Sequence, residues 1–512
     1  MASRRDELNA YTFAKRRLVA SFLQPSPSGT EEGAPRPLRA IVPGAIAGVV
    51  IVAAFGAWGM FKPTAPKGWD DTAAHVIVAN KSTTRYVVLG TKKNKQLYPV
   101  MNYASAKLLA TKAEGNSDIV NVDEKLLDSG KIPHGPTLGI PYAPDRLPDP
   151  GEAAKQKRWA VCEQQSQGGR AVQKQSFVLA GADAKKVDDK HRLRGGDVLY
   201  VQASGGPSYM VDSTGRKYEL TQDEALLSTL MGQGAKPQRV SKDWLDSLKE
   251  GSLIRYPRIG GGVNTQTRAP GFTGGERLGR VGTVLKTTES QQERYYIVLK
   301  DRVAPITNFT ARVLLSSDEL SVLGQGDEAL SINRAQFHAG RSFAADKSFT
   351  WPKQEVAPVN AVMPGKGDRD TVCNVLRHVN TKTGGTTLSV WAGADYPQRI
   401  AAGTTSAYVT PGTGLLFRQF QGKEPTTGPV FLVTDTGLRY AVQGNNDSDT
   451  SESAIGKDDK KKTEETQESE RLAQKLLGYG DTAPVPVPVS WSELLPTGPR
   501  LDTNSARQPQ GS

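Results

Sequence analysis

Between Arg39 and Lys62 the chain reads AIVPGAIAGVVIVAAFGAWGMF, 22 residues without a charge. At 1.5 Å per residue this makes about 33 Å of helix, enough to cross a bilayer once. Pro43 and the glycines Gly44, Gly48, Gly56 and Gly59 are compatible with a lipid-embedded helix, and Trp58 sits where an interfacial anchor belongs. A secretory signal would place its charges and apolar core within roughly the first 30 residues. Here 39 residues come first, so the expectation is an uncleaved anchor over residues 40–61, flanked by Arg39 and Lys62.

The leader holds Arg4, Arg5, Lys15, Arg16, Arg17, Arg36 and Arg39 against Asp6, Glu7, Glu31 and Glu32. Counting basic residues puts this end in the cytoplasm and the remaining chain outside. Leu8, Tyr11, Phe13, Leu18, Val19 and Phe22 recur among these charges, as in an amphipathic helix at the inner membrane face. The basic residues serve either topology alone or docking onto a cytoplasmic partner. Of the formal charge of +12, the leader supplies three, and an exterior body makes nucleic acid no expected partner. With 512 residues, 37% hydrophobic content, 52 Gly and 32 Pro, several small modules are expected rather than one large core.

Internal repeats divide the body. Tyr209-Met-Val-Asp-Ser-Thr-Gly215-Arg-Lys-Tyr218 matches Phe431-Leu-Val-Thr-Asp-Thr-Gly437-Leu-Arg-Tyr440 at an offset of 222. Each reads as a β-hairpin with a glycine turn. Leu230-Met-Gly232 then corresponds to Leu476-Leu-Gly478, and Trp244 and Gly251 to Trp491 and Gly498, at offsets of 246 and 247. The second copy has therefore gained an insertion, Asn445 to Glu470, which has one aliphatic residue larger than Ala and is expected to be disordered. Two weaker copies follow the same order. One is Tyr86–Gly90, Leu97–Val100 and Ser105–Leu109; the other is Tyr295–Leu299, Pro305-Ile306 and Ala311–Leu315.

The expected fold class is α+β: one N-terminal transmembrane helix, then four hairpin-helix repeat domains around a discontinuous central domain. The boundaries read as a leader at 1–39, a span at 40–61, repeat domains at 72–148, 194–257, 258–319 and 403–498, and central segments at 149–193 and 320–402. The insertion covers 445–470, and 499–512 reads as a disordered tail.

Cys162 and Cys373 are the two cysteines, one in each central segment. An oxidising exterior makes a disulfide the default, with two buried free thiols as the alternative. None of the Gly-Lys pairs, Gly130-Lys131, Gly365-Lys366, Gly422-Lys423 and Gly456-Lys457, is followed by Ser or Thr, so the phosphate-cradling loop is absent from the sequence. No Gly-x-Ser-x-Gly or His-Glu-x-x-His occurs. His75, His134, His191, His338 and His378 are scattered, and the pairs Asp70/Asp71 and Asp188/Asp189 read as solvated turns. No catalytic, cofactor or metal residue is nominated.

Three stretches carry a resemblance: Tyr11-Thr-Phe-Ala-Lys-Arg-Arg17 before the apolar run, Leu97-Tyr-Pro-Val-Met-Asn-Tyr-Ala-Ser-Ala-Lys-Leu108, and Gly135-Pro-Thr-Leu-Gly-Ile-Pro-Tyr-Ala-Pro-Asp145. With the repeats and the cysteine pair, the chain resembles the EccB family, the single-pass membrane component of the actinobacterial type VII (ESX) secretion system. The resemblance implies four repeat domains similar to a wall-binding phage lysin fold, with the family's disulfide at Cys162 and Cys373. It implies as partners the FtsK/SpoIIIE-like ATPase EccC, EccD, EccE where present, the mycosin protease and a second EccB copy. The leading function is bracing the exterior side of a secretion channel. An ATPase, a label the family also carries, and a module binding peptidoglycan or another wall polymer are the alternatives.

Overall fold

The computed structural model describes residues 3–23, 38–60, 65–113, 118–165, 172–343, 348–360, 369–400, 406–442 and 471–510. Lys62 and the 445–470 insertion lie outside the described residues. The chain divides into two units, residues 1–67 and 68–512. The first holds helices α1 (Arg4–Leu23) and α2 (Leu38–Met60), the latter continuous through Pro43. The side chains described on α2 run only from Ile41 to Ala57 and are exposed. Among the described residues no helix is long and apolar enough to cross a membrane.

Among the described residues the second unit contains five sheets. In the first, β1 (Val76–Ala79), β2 (Arg85–Gly90) and β3 (Lys95–Val100) form an antiparallel meander, helix α3 (Tyr103–Leu109) crosses over, and β4 (Ile119–Val122) returns parallel to β1. A parallel return needs such a crossover. The α3 helix starts where Asn102 accepts the Ser105 N–H at 3.0 Å, satisfying a donor that the first turn leaves free.

The order then repeats. β7 (Asp197–Ala203), β8 (Ser208–Asp212) and β9 (Arg216–Glu219) precede helix Glu224–Met231 and the parallel strand β10 (Gln238–Val240). β11 (Lys249–Glu250) adds to β9. β12 (Val284–Glu289), β13 (Gln292–Val298) and β14 (Val303–Ile306) precede helix Asn308–Leu315 and β15 (Leu330–Ser331). β20 (Leu415–Phe420), β21 (Val430–Val433) and β22 (Arg439–Val442) precede the helical segment Lys475–Tyr479 and β23 (Val485–Pro488).

The fifth sheet is assembled from distant pieces in the order β18-β17-β5-β6-β19. These are β5 (Arg158–Gln165), β6 (Val172–Leu179), β17 (Thr371–Val379), β18 (Thr386–Gly393) and β19 (Ala407–Val409). Alternation along β5 sends Trp159 and Val161 into a core shared with the second and fourth sheets, and Ala160 and Cys162 into a separate core on the other face. A third core joins the second and third sheets, and a fourth joins the first and fourth.

Three boundaries differ from expectation. The strands described between residues 320 and 360 are not central: β15 completes the third sheet, and β16 (Ala357–Pro358) pairs with β7 in the second. Strand β19, expected in the last repeat, pairs with β6. The tail is ordered through residue 510: Leu501 and Ala506 are fully buried, Asp502 caps a helical turn, and Gln510 N–H donates to the Thr137 carbonyl at 2.8 Å. Two small apolar anchors outweigh its polar composition.

Behind each of three hairpins a glycine passes under a tyrosine ring. Gly135, Gly251 and Gly498 donate their N–H to Leu97, Lys217 and Arg439, the residues before Tyr98, Tyr218 and Tyr440. A Cβ on them would lie 2.3, 2.4 and 2.6 Å from the ring carbons. Gly251→Ala and Gly498→Ala should each destabilise the chain by about 1–3 kcal/mol through overpacking. Gly206→Ala, whose Cβ would meet nothing closer than 3.7 Å, should be near neutral, and urea midpoints separate the two outcomes.

Candidate functional site

The central sheet is where the body is held together. Cys162 and Cys373 face each other directly in the β5/β17 register, with Cα atoms 4.0 Å apart, and form a disulfide that is fully buried. It closes a separation of 211 residues that contains the second and third sheets.

On the opposite face β5 grips the helix Lys242–Asp246 that follows β10. The Trp244 indole donates to the Val161 carbonyl at 3.0 Å, and the Asn374 amide of β17 donates to the Ser247 carbonyl at 2.9 Å. Ser241 caps this helix and gives its N–H to Glu163 at 2.6 Å, with its hydroxyl donating to the same carboxylate. Glu163 has no exposed surface, and burial pushes its carboxyl above its ordinary range against the opposing pull of these bonds.

Strand β6 grips the fourth sheet in the same manner. The Ser176 hydroxyl donates to the Leu494 carbonyl at 2.6 Å, and Trp491, on helix Val489–Ser492 after β23, is buried. Trp159 meets Phe417 edge-on at 5.7 Å, and Phe417 stacks on Phe431 at 5.4 Å.

The sheet's edge is braced by charge. Asp188, expected in a solvated turn, is half-buried and takes Arg158, Arg377 at 2.5 Å and Arg192 at 3.5 Å. Asp189 accepts the Trp391 indole at 2.8 Å. Neither this cluster nor Glu163 was legible as a site; Glu163 follows the apolar run Trp159–Cys162 and precedes Gln164 and Gln165, so it reads as the polar end of the strand.

The repeat-signature residues fall at hairpins and docks. Gly215 and Gly437 take φ of +74° and +79° in the turns after β8 and β21. The buried Tyr218 hydroxyl lies between two acceptors for its one proton, Asp212 at 3.0 Å and the Thr350 carbonyl at 2.8 Å, while Tyr440 reaches the Tyr142 carbonyl at 3.3 Å. Burial raises both phenols. Arg39 falls on α2. Among the described residues no group of three or more His, Cys, Asp or Glu is placed to hold a metal ion.

This geometry defines a class: an oxidised scaffold of repeated α+β units clamped onto one sheet. The chain belongs to the EccB family, since residues 1–511 match the model described as Type VII secretion system ESX-1, transport TM domain B. It is 26% identical to the protein named ESX-3 secretion system ATPase EccB3 of Mycolicibacterium smegmatis, over 91% of this chain and 83% of that one. Its fold is similar to a chain in the structure of an intact ESX-5 inner membrane complex, with a TM-score of 0.57, 20% identity, and 100% of this chain and 96% of that one covered. It is also similar to the EccB3 dimer from the ESX-3 core complex, with a TM-score of 0.56, 22% identity, and 85% and 100% covered.

Replacing Cys162 and Cys373 with Ser should lower stability by about 2–5 kcal/mol, read from urea unfolding. Glu163 has a folded pKa raised above its unfolded value. The stability it contributes is therefore full below the ordinary Glu value of about 4.3 and is lost as pH rises through the raised value. Glu163→Gln should remove that loss from the pH profile of thermal unfolding.

Proposed function

We propose that this chain is a membrane-anchored structural component of a type VII secretion system, bracing the outer face of its channel. The observation that carries this is the buried Cys162–Cys373 disulfide at the one sheet onto which two repeats dock. A disulfide built into the core belongs to an oxidising compartment. That agrees with the topology read from the basic leader and the apolar run. In this reading α2 crosses the membrane once, the leader is cytoplasmic and the body is extracytoplasmic.

The four sheets that share one strand order are read as four repeat domains, two docked on the central sheet and two carried on those. Similar chains occur in structures of an ESX-5 inner membrane complex and as an EccB3 dimer. That supports a second copy of this chain, with EccC, EccD, EccE where present and the mycosin protease, as partners. A fused alkaline phosphatase should be active after residue 512 and inactive within the leader. Mild-detergent purification should retain EccC and EccD; loss of both sinks the reading.

The relative's name supports a second reading, an ATPase. The sequence offers no Gly-x-x-x-x-Gly-Lys-Ser/Thr to hold phosphates. The purified chain should show no ATP hydrolysis above a matched blank. Hydrolysis abolished by a single substitution in this chain would reverse that assignment.

A further inference from the structure

The first sheet carries a cleft that the clamp does not use. Lys92 and Lys93 at the β2–β3 tip, Lys95 at the start of β3, and Lys131 on the loop after helix Glu124–Leu127 line about 660 Å³ together with Trp69 and Ser129. Asp70, also on the cleft, pairs with Lys95 at 2.8 Å, and this is the one ion pair inside it among the described residues. Lys92, Lys93 and Lys131 are exposed.

The tip is held in shape. Asn94 N–H donates to the Thr91 carbonyl at 3.1 Å, and Gly90 takes φ of +111°, where a Cβ would lie 2.1 Å from the Asn94 oxygen. The corresponding tips of the second, third and fourth sheets carry Asp212, Asp301 and Asp435, whereas this one reads Thr91-Lys92-Lys93-Asn94. The third tip also sets Lys300 and Arg302 around its aspartate, so what distinguishes the first is lysines with no carboxylate among them.

Chain length decides between anionic partners. From Met60, the end of α2, to Trp69 the chain reaches about 30 Å at most. A wall polymer carries no such constraint, whereas the membrane surface from which α2 would emerge is always within that radius. Lysines facing anionic headgroups attract them within a Debye length, about 8–10 Å at physiological salt.

We propose that this cleft docks on anionic phospholipid headgroups of the outer leaflet, a proposal that rests on α2 being the membrane span. The full chain is reconstituted into nanodiscs of phosphatidylcholine alone or mixed with phosphatidylglycerol, and hydrogen exchange is followed at residues 90–96 and 129–133. Anionic discs should slow exchange at both segments. The slowing should vanish at high salt and in the Lys92→Glu, Lys93→Glu, Lys131→Glu variant, with exchange in β5 and β17 unchanged as the check on folding. The milder Lys→Gln set at the same positions should lose most of it.

Equal exchange in the two discs overturns the proposal. So does equal slowing in neutral discs by inorganic phosphate or soluble polyphosphate at matched ionic strength, which would assign the cleft to a free anion or a wall polymer. A chain that fails to enter neutral discs at all overturns instead the membrane reading beneath it.

Discussion

The pairing of β5 with β17 is the constraint on which the body depends, because it joins strands about two hundred residues apart and supplies both faces of the central sheet. One face receives Trp244 and, through the adjoining β6, Leu494 and Trp491; the other holds the Cys162–Cys373 bond. Side chains alternate with a period of two, so a slip of one residue would turn Trp159 and Val161 away from the docked helices and bring the cysteines toward them. The disulfide excludes that slip covalently. It therefore fixes which face of the sheet the repeats find, beyond whatever it removes from the entropy of the unfolded chain.

From that sheet the body grows outward in two pairs. Ala104, Ala106, Leu108 and Leu109 of α3 join the core with Leu476 and Leu477 of the helical segment Lys475–Tyr479 and Tyr440 of β22. Phe309, Ala311, Val313 and Leu314 of helix Asn308–Leu315 join the core with Leu230 and Met231 of helix Glu224–Met231 and Tyr218 of β9. Each of the four sheets with its helices makes one repeat unit of the body; the two inner ones, built on the second and fourth sheets, meet the central sheet through a tryptophan helix, and the two outer ones, built on the first and third, do not. In the outer units the turn after the parallel strand is Glu124–Leu127 or Arg334–Gln336, and the buried residue beside it is Leu127 or Phe337.

This explains how far the sequence could be read. The second and fourth units share Trp, Tyr and Gly at matching spacing because they meet the same demand, docking a helix on one sheet. The first and third are free of that demand and keep only the hairpin-helix order. Leu330-Ser331 and Ala357-Pro358 are strands of two residues each, too short for alternation to register. Their partners, β12 and β7, lie tens to hundreds of residues away, so local sequence carries no sign of the sheets they join. The ordered tail escaped because Leu501 and Ala506 are sparse, and burial depends on a groove that only the assembled first and fourth units create. Asp188 escaped for a similar reason: Arg158 and Arg377 come from strands brought beside it by the β5/β17 pairing.

The same long-range pairing sets an order of events for a body that emerges N-terminus first. Units one and two and the β5–β6 hairpin are complete before β17 exists, so β5 presents an open sheet edge while the third unit is made. Local units of hairpin and helix close few long loops and form early, whereas the β5/β17 ladder must bring together ends of a loop that already contains two folded units. Those folded units shorten the flexible path, and Trp244 docked on β5 shields one face of the waiting strand. The disulfide can form only once the ladder is in register, which places the covalent step after strand pairing and ties it to an oxidising compartment. The first and fourth units then close on each other, since the fourth sheet and the Leu501–Ala506 segment are the last pieces of the chain to appear.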